Sequence, residues 1–234
     1  GAGGVQPGDN LYVCGLHLWP ETPPNQVSRN WYIEVSGTGE NSRITIRGDY
    51  PGDQGIIWGV QTLGGNLHQW TYEGNNVYST TSENYSGFFF EDVTATSWTL
   101  LTRVNSIQEC ENTPGSYYSP TYKYPDPLYV HCSDNGNPTD RIVAGANGWY
   151  IYLTNCQYIT FKNIEFYVPN FGWGLYDQAI SYIRWEGCKL WYNHFYFRDG
   201  CHHIEIINCD RAYGVGGFGF QDYYAPYGAV SYTH

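Results

Sequence analysis

Two cationic residues, Arg184 and Lys189, offer the clearest chemistry in the sequence. A lyase that works by β-elimination needs a cation that neutralises a uronate carboxylate and a base that removes the α-proton. An arginine and a lysine on one strand face supply both functions. Arg184 and Lys189 are therefore the candidate catalytic residues.

The same residues also fit a structural interpretation. When the repeated segments described below are superimposed, Arg184 falls beside Glu205, and Lys189 falls between Glu165 and Asp210. Opposite charges on neighbouring strands stabilise a sheet without any catalytic role. A lysine between two carboxylates also holds its proton more tightly, which is wrong for a base. If the protein is an enzyme, a lyase is favoured over a glycoside hydrolase, because the chain has no adjacent Asp-Asp pair.

Aromatic residues provide a candidate binding surface. They make up 18% of the chain, with 24 Tyr and 9 Trp. Their flat faces stack on sugar rings, while their polar groups form hydrogen bonds. Packing in the core and loops is the alternative interpretation. The candidate substrate-binding residues are Tyr167, Trp173, Trp191, Tyr192, Tyr196 and Tyr223.

Candidate metal ligands are few. Asp134, Asn137 and Asp140 carry the oxygen atoms that Ca²⁺ prefers, and they form a candidate calcium site. They lack the glutamate that completes a known calcium loop, so an ordinary turn is the alternative. Neighbouring residues on a strand point to opposite faces, so His202 and His203 are predicted not to hold a metal together.

Composition predicts an all-β protein outside the reducing cytosol. The abundant aromatics and 28 Gly favour short strands and tight turns over helices. A net charge of −11 argues against a nucleic-acid partner and against docking on anionic lipid. No apolar run approaches the roughly 20 residues of a membrane helix. Seven cysteines are many for a reducing compartment, so we expect a secreted or cell-surface protein.

Three segments of the C-terminal third superimpose, and their spacing predicts the fold. They begin at Tyr158, Tyr182 and His203, which are 24 and then 21 residues apart. Such a period is typical of a solenoid, in which each coil buries its apolar residues against its neighbours. The columns predicted to point inward are Ile159/Ile183/Ile204, Phe161/Trp185/Ile206 and Ile164/Cys188/Cys209, and the predicted turn column is Asn163/Gly187/Asn208. The pattern predicts a parallel β-helix.

The rest of the chain is predicted to be one domain, residues 1–234, with a β-rich insertion at residues 60–140. Gly74-Asn75-Asn76 predicts a hairpin, and residues 109–127 are the best loop candidate. Cys110 and Cys132 flank that loop and are the favoured disulfide pair. Cys188 and Cys209, in one inward column, are predicted to be buried thiols.

Residues 5–13 (VQPGDNLYV), residues 44–52 (ITIRGDYPG) and the Asn-Cys type of coil carry a family resemblance. They resemble the right-handed parallel β-helix proteins of the pectate-lyase-like superfamily over residues 1–60 and 128–234. The resemblance implies a right-handed coil and truncation at both ends. It leaves the chemistry open, because this architecture serves lyases, hydrolases, epimerases, tailspikes and adhesins.

Two functional hypotheses follow from the sequence. The leading one is an extracellular protein that recognises a polysaccharide, with lyase activity as an open question. The acidic chain repels a polyanionic glycan unless calcium mediates the contact. A neutral glycan is therefore at least as plausible a ligand. The alternative is a structural protein that stacks end to end as a homo-oligomer or filament. That hypothesis rests on the expectation that Ile204, Ile206 and Cys209 are uncovered where the last coil ends.

Overall fold

The structure is a computed structural model. It describes residues 4–18, 31–58, 60–62, 69–82, 85–94, 97–120, 126–146, 150–167, 170–172, 180–191, 195–196, 201–212 and 230–233. Within these ranges, strands dominate, and the only helices are a 3₁₀ turn, Glu40–Ser42, and a short α-helix, Ile107–Glu111. The prediction of an all-β chain is confirmed. None of the helices in this part of the chain has the length and apolar character needed to cross a bilayer.

The chain divides into two compact units, of which the first comprises Gly1–Gly59 and Gly148–His234. In its described residues, this unit contains three parallel sheets and one small antiparallel hairpin, Asp49–Tyr50 with Asp53–Gln54. Sheet 1 contains, in order, Asn10–Tyr12, Ile44–Arg47, Gln157–Lys162, Ser181–Glu186, His202–Ile207 and Val230–Thr233. Sheet 2 contains Leu16–Leu18, Ile56–Trp58, Glu165–Tyr167, Lys189–Trp191 and Asp210–Ala212. Sheet 3 contains Trp31–Ile33, Tyr150–Leu153, Asn170–Gly172 and Phe195–Tyr196.

The register of sheet 1 confirms the two predicted inward columns that lie on its strands. Ile183 pairs with Ile159 on one side and with Ile204 on the other. All three isoleucines are buried, as are Phe161 and Trp185 in the next inward column. The two rings stack with centroids 5.4 Å apart. The strands of sheet 1 therefore bury these apolar side chains against one another, which stabilises the fold by about 25 cal/mol per Å² of apolar surface removed from water.

The predicted turn column is also confirmed. Asn163, Gly187 and Asn208 have φ of 52°, 62° and 49°, and each directly follows a strand of sheet 1, just before the chain enters sheet 2. Asparagine and glycine tolerate this left-handed conformation better than other residues. A Cβ on Gly187 would lie 2.3 Å from Oδ1 of Asn163, so a side chain here would displace the Asn163 amide, which donates a hydrogen bond to Asp49.

We expect Gly187→Ala to destabilise the protein more than Gly52→Ala. Both glycines have positive φ, 62° and 80°, but an added Cβ at Gly52 would meet no atom within 4 Å. Gly52→Ala should therefore cost about 1–2 kcal/mol of backbone strain alone. Gly187→Ala should add about 1–3 kcal/mol for the clash with Asn163. Denaturant unfolding measures both, and equal losses would contradict the close packing at Gly187.

The expectation of an uncovered end is wrong for sheet 1. Val230–Thr233 pairs in parallel with His202–Ile207 and places Val230 beside Ile204 and Tyr232 beside Ile206. Ile204 and Ile206 are buried, and Cys209 is partly buried. The sequence missed this strand because it lies outside the 21–24-residue spacing that located the others.

The second unit, Val60–Asn147, contains two mainly antiparallel sheets. The predicted hairpin is confirmed, since Thr71–Gly74 pairs with Val77–Ser82 across Asn75 and Asn76. The five-stranded sheet contains Thr102–Arg103, Ser116–Tyr118, Asp126–His131, Val77–Ser82 and Thr71–Gly74. The four-stranded sheet contains Ser97–Leu100, Tyr85–Thr94, Ile142–Ala146 and Val60–Thr62.

Two predictions for this unit are wrong. Residues 109–127 are not one loop, because they include the end of the helix Ile107–Glu111 and the strand Ser116–Tyr118. Ser106 caps this helix, and its side chain accepts a hydrogen bond from the amide of Glu109. Cys110 and Cys132 are not a disulfide but two free, buried thiols. They belong to different apolar clusters of the unit, so their places on either side of a loop in sequence did not bring them together.

Candidate functional site

Sheet 2 presents aromatic and charged side chains on one face. Phe166 and Leu190 point into the core and are buried. Because side chains alternate along a strand, the residues on either side of them lie on the opposite face. We call this set the sheet 2 face; its residues are Trp58, Glu165, Tyr167, Lys189 and Trp191.

Three of these residues form an aromatic column. Trp58, Tyr167 and Trp191 occupy equivalent positions on successive strands. The ring centroids of Trp58 and Tyr167 are 5.0 Å apart, and those of Tyr167 and Trp191 are 5.6 Å apart. The rings are tilted by 51° and 37°, so they are not closed into a parallel stack. Trp58 is buried, whereas Tyr167 and Trp191 are partly exposed.

A polar network lies beside this column. Lys189 Nζ donates to Glu165 Oε1 over 2.6 Å, and Tyr167 Oη donates to Glu165 Oε2 over 3.0 Å. Burial, followed by the charge and hydrogen bond of Glu165, raises the pKa of Tyr167 to about 12. Asp210 pairs with Lys189 in the strand register. The predicted charge column Glu165/Lys189/Asp210 is confirmed.

We expect the phenol of Tyr167 to titrate with a pKa of about 12, against 10.0 for an ordinary tyrosine. The folded state holds this proton more tightly than the unfolded state. The resulting stabilisation is therefore fully present below pH 10 and is lost as the pH rises from about 10 through 12. NMR of ¹³C-labelled tyrosine follows the titration, and Tyr167→Phe assigns the signal. Glu165→Gln should lower the pKa; an unchanged value would remove Glu165 as a cause.

Arg184 lies in sheet 1 rather than on the sheet 2 face. Its Nε donates to Glu205 Oε2 over 2.7 Å, and its Nη2 is 3.6 Å from Glu40 Oε2. The pKa of Glu40 is lowered, chiefly by hydrogen bonds from Arg43 and also by the charge of Arg184. The expectation that Arg184 and Lys189 share a strand face is wrong, because the turn at Gly187 separates them into different sheets.

Sheet 1 carries a second aromatic column that sequence reasoning missed. We call it the ring ladder; it contains Tyr158, Tyr182 and His203. Tyr158 and Tyr182 stack at 4.4 Å with an angle of 8°, and Tyr182 and His203 stack at 4.4 Å with an angle of 22°. Arg43 lies 5.7 Å from the ring of Tyr158 and donates a hydrogen bond to the carbonyl of Tyr182. The signal was present in the sequence, since these three residues begin the superimposed segments.

The prediction that His202 and His203 point to opposite faces is wrong. Their Nδ1 atoms lie 2.7 Å apart, at hydrogen-bonding distance. The cause is the backbone, because His203 has φ of 54° and therefore interrupts the alternation of an extended strand. Tyr158 and Tyr182 share this conformation, with φ of 55° and 56°.

The remaining candidate residues are four aromatic residues and three calcium ligands. Trp173, Tyr192 and Tyr223 lie outside the described residues, and Tyr196 lies on the sheet 3 strand Phe195–Tyr196. The three candidate calcium ligands lie in the second unit and are Asp134, Asn137 and Asp140.

Local hydrogen bonds engage the side chains of Asp134 and Asn137. The carboxylate of Asp134 accepts hydrogen bonds from Arg141 and from the amide of Gly136. The side-chain oxygen of Asn137 accepts hydrogen bonds from Thr139. These contacts are typical of a turn. No group of three or more acidic, histidine or cysteine side chains in the described part of the chain is arranged to hold a metal ion. The calcium site stays a prediction.

No protein-family model matches the chain, and neither does any curated protein. Among solved structures, the chain is similar to XylC in its complex with xylose, with a TM-score of 0.47 and 12% identity. The similarity covers 89% of this chain and 49% of XylC, so this chain spans about half the length of that protein. At this level, the similarity by itself establishes neither fold nor function.

Proposed function

We propose that this protein binds a neutral polysaccharide outside the cell, and that the sheet 2 face is the binding surface. The observation that carries the proposal is the pairing of two columns on that face. Tyr167 and Trp191 offer partly exposed rings, and Glu165 and Lys189 offer hydrogen-bonding groups beside them. Ring faces that cover the apolar side of a sugar, next to groups that bind its hydroxyls, are typical of glycan recognition.

The charges of this face favour a neutral ligand. Lys189 is paired with Glu165 and stands beside Asp210, so no net positive charge is left for a uronate. The whole chain carries a net charge of −11, which repels polyanions at long range.

Binding without cleavage fits the geometry better than a lyase. Arg184 and Lys189 belong to different sheets, and each forms a salt bridge of its own. Lys189 Nζ is already bonded to the Glu165 carboxylate over 2.6 Å, so it is committed to that contact rather than to the α-proton of a substrate. Arg184 is flanked by Glu205 and Glu40. Their carboxylates neutralise the positive charge that would otherwise bind the carboxylate of a uronate.

The architecture that we propose for this surface is a right-handed parallel β-helix, with residues 60–147 as an insertion. The order in which the chain visits the three parallel sheets supports the coil, and the right-handed sense of nearly all parallel crossover connections supports its hand. Gln157–Lys162 lies in sheet 1, Glu165–Tyr167 in sheet 2 and Asn170–Gly172 in sheet 3, and the next described strand, Ser181–Glu186, returns to sheet 1. Neighbouring strands of sheet 2 thereby place equivalent residues in columns. Successive residues of a column are about 4.8 Å apart, which is the spacing between strands.

A panel of soluble polysaccharides tests the function. Neutral and uronate polymers are run in affinity electrophoresis, with and without calcium, and the mixtures are followed in the ultraviolet for unsaturated products. We expect retardation by at least one neutral polymer and no ultraviolet signal. Unsaturated products from a uronate polymer that disappear in Lys189→Ala would instead establish a lyase. No retardation by any polymer, together with light scattering from long assemblies, would favour end-to-end stacking.

A further inference from the structure

The ring ladder ends in two histidines whose side chains converge. His202 is partly exposed and His203 is exposed, and their Nδ1 atoms lie 2.7 Å apart. At that distance, one nitrogen donates a proton and the other accepts it. A metal ion that binds imidazole can take the place of this proton.

The separation of the two nitrogens selects a coordination geometry. For a metal–nitrogen bond of about 2.0 Å, two ligands at 90° are about 2.8 Å apart, and two ligands at a tetrahedral angle are about 3.3 Å apart. The observed 2.7 Å is close to the first value. Square or tetragonal coordination by imidazole is typical of Cu(II) and Ni(II), and Cu(II) is the tighter binder of the two.

Both imidazoles are held in place by Tyr182. The ring of His203 stacks on it at 4.4 Å, and the ring of His202 meets it edge to face at 5.6 Å. The left-handed backbone at His203 turns the second ring toward the first. Because these contacts fix the rings before binding, little conformational entropy is lost when a metal binds.

The charges around the two histidines accommodate a dication. Glu40 is close enough for the charge of His203 to lower its pKa. The nearby cations Arg43 and Arg184 are both engaged by carboxylates, Arg43 by Glu40 and Arg184 by Glu205. The local field is therefore not dominated by positive charge.

From these observations, we infer that His202 and His203 form a bidentate site for Cu(II) at the end of the ring ladder. Their Nδ1 atoms supply two adjacent equatorial ligands, and water or an external ligand supplies the others. The site is separate from the sheet 2 face, so it can be present or absent whatever that face binds.

Copper binding is measured by calorimetry with CuCl₂ in a glycine-buffered competition and by electron paramagnetic resonance. The background is Cys14→Ser, because Cys14 is an exposed thiol that would bind or reduce copper. The variants are His202→Gln and His203→Asn, since asparagine tolerates the left-handed backbone at residue 203. His17→Ala is the matched control, because His17 is an exposed histidine that contacts only the carbonyl of Cys14 among the hydrogen bonds described for it.

We expect one copper ion per chain with two nitrogen couplings, and Zn(II) should bind more weakly. Each histidine variant should weaken copper binding by at least about tenfold, since the loss of even an outer-shell partner costs 10–100-fold. The variants should also lose one nitrogen coupling, while His17→Ala should retain both affinity and spectrum. Unchanged thermal unfolding without metal shows that the variants are folded. Copper binding that is as tight in His203→Asn as in the parent would overturn the site. A loss of affinity in His17→Ala as large as in the two histidine variants would also overturn it.

Discussion

Replacing Ile183 by aspartate is expected to unfold the protein or to bring it to the edge of unfolding. Ile183 is fully buried between Ile159 and Ile204. The substitution removes apolar contacts worth about 2–5 kcal/mol and adds an unpaired buried carboxylate. Those losses together approach the total stability of about 5–15 kcal/mol that is usual for a domain.

Two variants calibrate this expectation. Ile107→Asp makes the same change at a side chain that is 37% exposed, in the first turn of the helix Ile107–Glu111. It should cost less than about 1 kcal/mol, because a carboxylate is favourable near a helix N-terminus. Ile183→Val should cost about 0.5–1.5 kcal/mol. Circular dichroism and urea unfolding measure all three. A folded Ile183→Asp protein with stability near that of Ile107→Asp would contradict the packed column.

The second large effect is expected from Arg141→Met in the other unit. Glu91 is fully buried, and its carboxylate accepts hydrogen bonds from Arg141 Nη2 at 2.5 Å and from the amide of Ser133 at 2.8 Å. Removing the guanidinium leaves this carboxylate buried without its counter-charge. Breaking such a pair from one side typically costs about 3–5 kcal/mol.

Two further variants separate the buried charge from the lost contacts. Asp134→Asn removes the exposed carboxylate that also binds Arg141, at 2.9 Å, and should cost at most about 1 kcal/mol. Glu91→Gln combined with Arg141→Met removes both charges and retains an acceptor for the amide of Ser133. The double variant should therefore be more stable than Arg141→Met alone. Urea unfolding in which the double variant is the less stable of the two would contradict this account of Glu91.

The stacked strands of sheet 1 could be predicted from the sequence because each of them must meet the same two requirements. Ile159, Ile183 and Ile204 must each fill the same layer of the core, and a residue tolerant of positive φ must follow each strand at Asn163, Gly187 and Asn208. These two requirements leave a regular pattern in the chain. Val230–Thr233 escaped prediction because the spacing that locates the other strands does not reach it.

The candidate site was harder to predict because backbone conformation decides which side chains meet. Alternation along an extended strand would separate His202 from His203, and one left-handed residue reverses that result. In the same way, the turn at Gly187 places Arg184 and Lys189 in different sheets although they are close in sequence. The salt bridge between Glu91 and Arg141 joins residues 50 positions apart, and no local pattern marks such a pair.

The most direct test of the central claim is the affinity of the sheet 2 face for a neutral polysaccharide. The polymer that is most strongly retarded by the parent is titrated by calorimetry into the parent, Tyr167→Ala, Trp191→Ala and Tyr72→Ala. Tyr72 is the matched control, because it is 58% exposed and lies in the other unit. Loss of a central aromatic contact typically costs at least about 1.4 kcal/mol, which is a tenfold rise in Kd. The account predicts this rise for Tyr167→Ala and Trp191→Ala and no change for Tyr72→Ala; parental affinity in both sheet 2 variants, with their folding intact, would contradict it.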